Sequence, residues 1–165
     1  MSPLTETDYA YRLMLPADLL GVSELVWRTF DAFVAPDYTL EGVEAFWQYV
    51  QPEALRQRLQ SRHFGLICRV NEQLVGVIEV RDYQQITLLF VAKEWQRRGI
   101  ARELLRRAVQ TCRARRPMQT EVKVHSSPYA VPIFKRLGFR PLGPRQSEKG
   151  MVYVPMALKL AEYVD

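Results

Sequence analysis

The chain has 165 residues, 48% of them apolar and 25% charged, an ordinary soluble composition with enough length to bury a core. No apolar run approaches the ~20 residues of a membrane span, and Cys68 and Cys112 lack the spacing of a disulfide framework or a zinc site. The net charge of +5 would suit nucleic acid, but residues 96–116 hold eight arginines and one acid, leaving the rest with 15 of the 23 basic and 17 of the 18 acidic side chains. So local a patch suits a compact polyanion such as the phosphates of a nucleotide cofactor. The opening MSPLTETDYA has no basic region followed by an apolar stretch, which leads us to expect no signal peptide and a cytoplasmic protein.

In chain order, residues 9–15 read as a strand. Pro16-Ala17-Asp18 opens a helix expected to run to about Phe30. Residues 31–38, DAFVAPDY, read as turn-rich. Thr39 is placed to cap a helix through Val50, and a further helical piece spans Pro52 to Ser61. His63–Val70 and Leu74–Arg81 are β-rich runs around Asn71-Glu72-Gln73, a hairpin signal. Gln84–Val91 is the next strand, followed by a long helix ending before Pro117. Glu121–Val124 alternates as a strand, and Ser126 or Ser127 caps a helix ending at Gly138. Phe139–Pro144 and Met151–Leu160 read as last strands joined by a polar Arg145–Gly150 turn. No repeat or linker divides the chain, so we expect one domain over 1–165. This mixed α/β order fits helices on both faces of a central sheet.

The stretch from Ile86 to Arg116 carries the chemistry. An apolar strand is followed by a short connection, then by Gln96-Arg97-Arg98-Gly99-Ile100-Ala101 and a helix with apolar residues at 100, 104, 108 and 112. The first turn of a helix leaves backbone N–H groups without intrahelical partners, and the macrodipole makes that end attractive to anions. Gly99 removes a side chain where a ligand approaches, and Arg97, Arg98 and Arg102 add charge. The result is a phosphate cradle.

The spacing Gln96-x-x-Gly99-x-Ala101, directly after a strand and at a helix start, resembles the Q/R-x-x-G-x-G/A signature of the GNAT superfamily of N-acetyltransferases. A second stretch, residues 126–139 (SSPYAVPIFKRLGF), resembles that family's later N-x-x-A-x-x-x-Y-x-x-x-G-F motif. The resemblance covers nearly the whole chain. It implies a GNAT fold, acetyl-CoA as cosubstrate and direct transfer of the acetyl group to a primary amine of a small molecule or peptide. It assigns the pantetheine arm to the backbone of Leu89, Phe90 and Val91, and the pyrophosphate to residues 96–101. Arg97, Arg98 and Arg102 become ionic contacts, with Ser127 and Phe134 at the cofactor. Homodimers are common in that family.

One position departs from the pattern. Phe134 stands where the family commonly has a tyrosine that protonates the leaving thiolate, and phenylalanine has no hydroxyl. A thiolate leaves without obligatory protonation, since a free thiol has a pKa of about 8.5. Tyr129, or Ser127, can substitute as donor. The departure also keeps open a second reading, a non-catalytic CoA-binding or regulatory module on the same fold. For the base the candidate is Glu79, the one acid in the run Leu74–Val80, with alternation expected to put Val75, Val77 and Glu79 on one face. There it could relay a proton through water, and Glu79→Gln is expected to fold but to lose rate. Partners considered for it in a structural role are Arg81 and Arg69. Phe33 and Tyr38, near Asp31 and Asp37, are the candidate acceptor contacts, since acids and aromatics together suit a cationic amine. His63 and His125 have no metal-ligand spacing, so no metal is expected. No P-loop, dinucleotide fingerprint or nucleophile elbow is present. Neither nucleic acid nor a membrane is expected as a partner.

Overall fold

The computed structural model describes residues 7–164. Residues 1–6, the start of the segment read above for a leader, and Asp165 lie outside the described residues. The strands β1 (Tyr9–Leu13), β2 (His63–Val70), β3 (Gln73–Arg81), β4 (Gln85–Val91), β5 (Glu121–Ser126), β6 (Arg140–Pro141), β7 (Gln146–Glu148) and β8 (Met151–Lys159) form one sheet. Its order is β1-β2-β3-β4-β5-β8-β6, with β7 on β8. All pairings are antiparallel except β4 with β5. Helices α1 (Leu19–Phe33), α2 (Leu40–Tyr49) and α3 (Pro52–Leu59) cover one face; α4 (Ile100–Arg115) and α5 (Val131–Arg136) cover the other.

Each face has its own core, because a central strand buries both sets of alternating side chains. Val22, Val26, Phe30 and Leu55 pack on Ile67, Val77 and Leu88. Ile100, Leu104, Ala108 and Cys112, the helical stripe seen in the sequence, pack on Ile78, Val80 and Ile86. Cys68 and Cys112 are both buried and free.

Three expectations need correction. The first helix continues to Phe33 rather than Phe30, since the next breaker is Pro36, which sits in a 3-10 turn at Ala35–Asp37. The polar 145–150 segment is not a plain turn. Residues Gln146–Glu148 form β7, and the hairpin turns at Lys149 and Gly150, both with positive φ (51° and 80°). Val75 and Val77 do not share a face. Cys68 pairs with Gly76 and Arg69 with Leu74, so Val75 is the extra residue of a bulge and joins the α4 core, while Val77 joins the α1 core.

Candidate active site

A second bulge makes the site. Glu79 pairs with Leu88 and Val80 with Ile86, so Thr87 is extra on β4. On its other edge β4 pairs with β5 only at Gln85–Lys123 and Ile86–Val124. Beyond Thr87 the two strands part, and the β5-facing edge of β4 has no strand partner among the described residues. A cleft of about 650 Å³ fills the gap. Its walls come from both layers: Phe33, Phe46 and Tyr49 from the α1–α2 side, Ile100, Ala101 and Phe134 from the α4–α5 side. The cleft therefore passes through the sheet and has two limbs.

At the α4 limb the chain builds a cradle from backbone. Gln96 is extended, Arg97 has φ +64° and Gly99 has φ +84°. Such turns into the left-handed region aim successive N–H groups at one point. The first intrahelical bond is from Glu103 N to Gly99 O, at 3.0 Å, so the donors before it have no intrahelical partner. A Cβ on Gly99 would meet no protein atom within 4 Å; the glycine answers to its φ and leaves that space to a ligand. Gln96 ties the turn back to the strand, its Nε2 donating to Val91 O at 3.1 Å. Arg97 and Arg102 are exposed and line the cleft. Glu103, the acid of the first turn, is bonded by Arg106 and Arg107 and held down at about 2, so its charge is already compensated.

The other limb is built from side chains far apart in sequence. Phe33 stacks on Tyr129 with ring centroids 4.8 Å apart, which joins the end of α1 to the loop before α5 where the limbs meet. Tyr38 and Phe46 both pack on Phe30. His125 stacks on Tyr153 at 4.2 Å, and burial lowers its pKa. The β7–β8 hairpin closes over α2: Thr39 N donates to Gly150 O at 3.1 Å, and Arg145 reaches Asp37 at 3.4 Å. Gly42 is what permits this approach, because an added Cβ would lie only 2.1 Å from Gly150 O.

Between the limbs, behind the wall, lies a buried ion pair. Glu79 is fully buried, and its Oε1 accepts from Arg58 Nε at 3.0 Å and from Thr87 Oγ1 at 2.7 Å. Glu79 Oε2 has no hydrogen-bond partner among the described residues. Arg58 also donates to Tyr49 O and lies over the Tyr49 ring at 3.7 Å. Burial raises the pKa of Tyr49. Tyr49 and Thr87 line the cleft; Glu79 does not.

Fourteen of the sixteen residues expected at the site line this one cleft: Leu89, Phe90, Val91, Gln96, Arg97, Gly99, Ile100, Ala101, Arg102, Ser127, Tyr129, Phe134, Phe33 and Tyr38. Arg98 does not; its guanidinium lies over Trp95 at 4.8 Å. Glu79 reaches the cleft only through Thr87. Its ion partner is Arg58, while Arg69 bonds Asp18 and Arg81 bonds Gln85. Ser127 Oγ accepts from Ala130 N at 3.2 Å, capping the turn before α5. Phe134 is buried edge-on against Phe139, with one side on the cleft. Arg58, Tyr49, Thr87 and Glu148 escaped the sequence reading. The hairpin dipeptide Lys149-Gly150 would have flagged Glu148; nothing local flags Arg58. Among the described residues no group of side chains is arranged to hold a metal ion, and no helix is long and apolar enough to cross a membrane.

Known proteins bear on this arrangement. Residues 34–160 match the family described as Acetyltransferase (GNAT) domain. The chain is 26% identical over 125 residues to an uncharacterized N-acetyltransferase, YafP, of Escherichia coli K12, covering 76% of this chain and 77% of that one. Among solved structures it resembles a GCN5-related N-acetyltransferase of Rhodopseudomonas palustris (TM-score 0.80, 20% identity, 96% and 100% of the two chains covered). It also resembles the PaiA N-acetyltransferase of Thermoplasma acidophilum, solved with coenzyme A (TM-score 0.77, 18% identity, 92% and 99% covered).

Proposed function

The chain belongs to the GNAT acetyltransferase family, and from that premise we propose that its 165 residues act as one unit that moves the acetyl group of acetyl-CoA to a primary amine within a ternary complex. The observation that carries this reading is the two-limbed cleft between β4 and β5, with a backbone anion cradle on one limb and aromatic walls on the other. The residues present fit the cofactor. Cradle N–H groups and the exposed Arg97 and Arg102 suit a pyrophosphate. The unpaired edge of Leu88–Val91 suits the amide groups of a pantetheine arm, taken up as an added strand.

The thioester supplies the activated acyl group. In the transfer an N–C bond forms, the C–S bond breaks, the amine loses one proton and the departing sulfur gains one. Tyr129 sits where the limbs meet and is our donor to the sulfur; its stacking on Phe33 fixes the ring. Phe134, at the usual tyrosine position, supplies only a wall. For the amine proton we assign Thr87 as the contact and Glu79 as the acceptor behind it. The 2.7 Å bond between them links cleft to carboxylate: as Thr87 Oγ1 takes the amine proton, its own proton passes to Glu79 Oε1. Aromatic walls at Tyr38 and Phe33 desolvate the amine, which favours its neutral, nucleophilic form.

Release of free thiol from acetyl-CoA, dependent on added amine, tests the reading. Tyr129→Phe should lower kcat about tenfold to a hundredfold with unchanged acetyl-CoA affinity. The second reading, a CoA-binding module without turnover, rests on Phe134 and predicts cofactor binding with no amine-dependent thiol release at all.

A further inference from the structure

The acceptor limb has a charge inventory that selects among amines. Of the charged side chains lining the cleft, Arg97 and Arg102 stand at the cradle and Arg136 on α5. The other two are Arg81, which bonds Gln85, and Glu148 on β7. Glu148 is the only carboxylate among the lining residues, against four arginines. The neighbouring acids are already matched: Glu79 with Arg58, Asp37 with Arg145. The wall also carries rings: Phe33, Tyr38, Tyr49 and Phe90 are all half-buried and line the cleft.

We infer that the acceptor is a primary monoamine carried on an uncharged, aromatic-sized apolar body, and that the limb discriminates against polyamines and aminoglycosides. The inference rests on the acetyl-transfer reading above. A molecule with two to four ammonium groups would bring them among four guanidiniums with a single carboxylate to meet them, and like charges set side by side repel. A monoamine enters neutral, as its attack on a thioester requires, and its body replaces water against the rings.

The test uses the full chain, saturating acetyl-CoA and three probes: 2-phenylethylamine, spermidine and kanamycin. The expected result is a kcat/KM for 2-phenylethylamine at least about tenfold above either polycation. Phe33→Ala should raise the KM for 2-phenylethylamine about tenfold, the share of one ring's burial, while calorimetric acetyl-CoA affinity stays unchanged. Equal turnover, a preference for spermidine or kanamycin, or no turnover of any probe by a chain that binds acetyl-CoA would overturn the inference and leave the cofactor site standing. A chain that binds no acetyl-CoA would overturn both readings.

Discussion

The two limbs of the cleft are made in opposite ways. The cradle comes from one continuous stretch, residues 89–102, and its working groups are main-chain N–H donors set by left-handed turns at Arg97 and Gly99. The acceptor limb is assembled from α1, α2 and the β7–β8 hairpin, segments separated by about a hundred residues, and its working groups are side chains. A backbone site tolerates substitution of the residues around it as long as the fold of the turn survives. A side-chain site changes its ligand when any wall residue changes. The first limb suits a constant cosubstrate, the second a variable one.

Substitutions that act on one limb only would break or sharpen this contrast. The largest effect is expected between the limbs, at Glu79→Gln. The rate should fall roughly a hundredfold. Because Arg58 is left with a buried charge and no counter-charge, stability should also fall by about 3–5 kcal/mol, which revises the expectation that this variant folds unharmed. Denaturant unfolding beside single-turnover kinetics separates the two losses, and a variant as active as the parent would remove Glu79 from the mechanism. Next comes Gly42→Ala. The added Cβ collides with Gly150 O, and relieving an overpacked contact costs about 1–3 kcal/mol, so amine KM should rise about fivefold to a hundredfold with acetyl-CoA affinity unchanged. Gly99→Ala should do the reverse. The left-handed turn costs an alanine about 1–2 kcal/mol, weakening acetyl-CoA about five- to thirtyfold and leaving amine KM alone. If either variant moved both constants together, the limbs would not be independent.

Asp18→Asn is the control, remote from both limbs. Hydrogen bonds from Arg12 hold the Asp18 carboxyl down at about 2, and it is buried. A depressed carboxyl contributes stability that is present above the unfolded pKa of about 3.9 and is lost as pH falls toward 2. Its share is about 2 kcal/mol. The variant should therefore be less stable at neutral pH and flatter in its acid unfolding between about pH 4 and 2, with no change in either binding constant.

The same contrast explains what could be read from the chain. The cradle was legible because strand, turn and helix follow one another without interruption, and the period switch from Ile86–Val91 to Ile100–Cys112 marks each piece. A mixed sheet with helices on both faces followed from the element order and the family resemblance; the strand order did not. The acceptor limb was half legible: Phe33 and Tyr38 were named, but Tyr49 and Glu148 were not, since no local pattern says which aromatics meet across α2 and a distant hairpin. Arg58 looked like one more arginine of an exposed helix. Only the fold brings it to Glu79, 21 positions on. Bulges at Val75 and Thr87 were invisible for a related reason. They follow from strand register, and Thr87 reads as an ordinary β residue until its neighbours are paired.

The backbone cradle proposed for residues 96–102 should be selective for a CoA. Calorimetric titration of the chain with acetyl-CoA, CoA and ATP at moderate salt, repeated on Gly99→Ala, tests it most directly. The expected result is saturable binding of both CoA species, much weaker ATP, and a loss of about five- to thirtyfold in the variant. Equal binding of all three anions, indifferent to Gly99, would mean that the arginines of α4 form only a charged surface, and would contradict it.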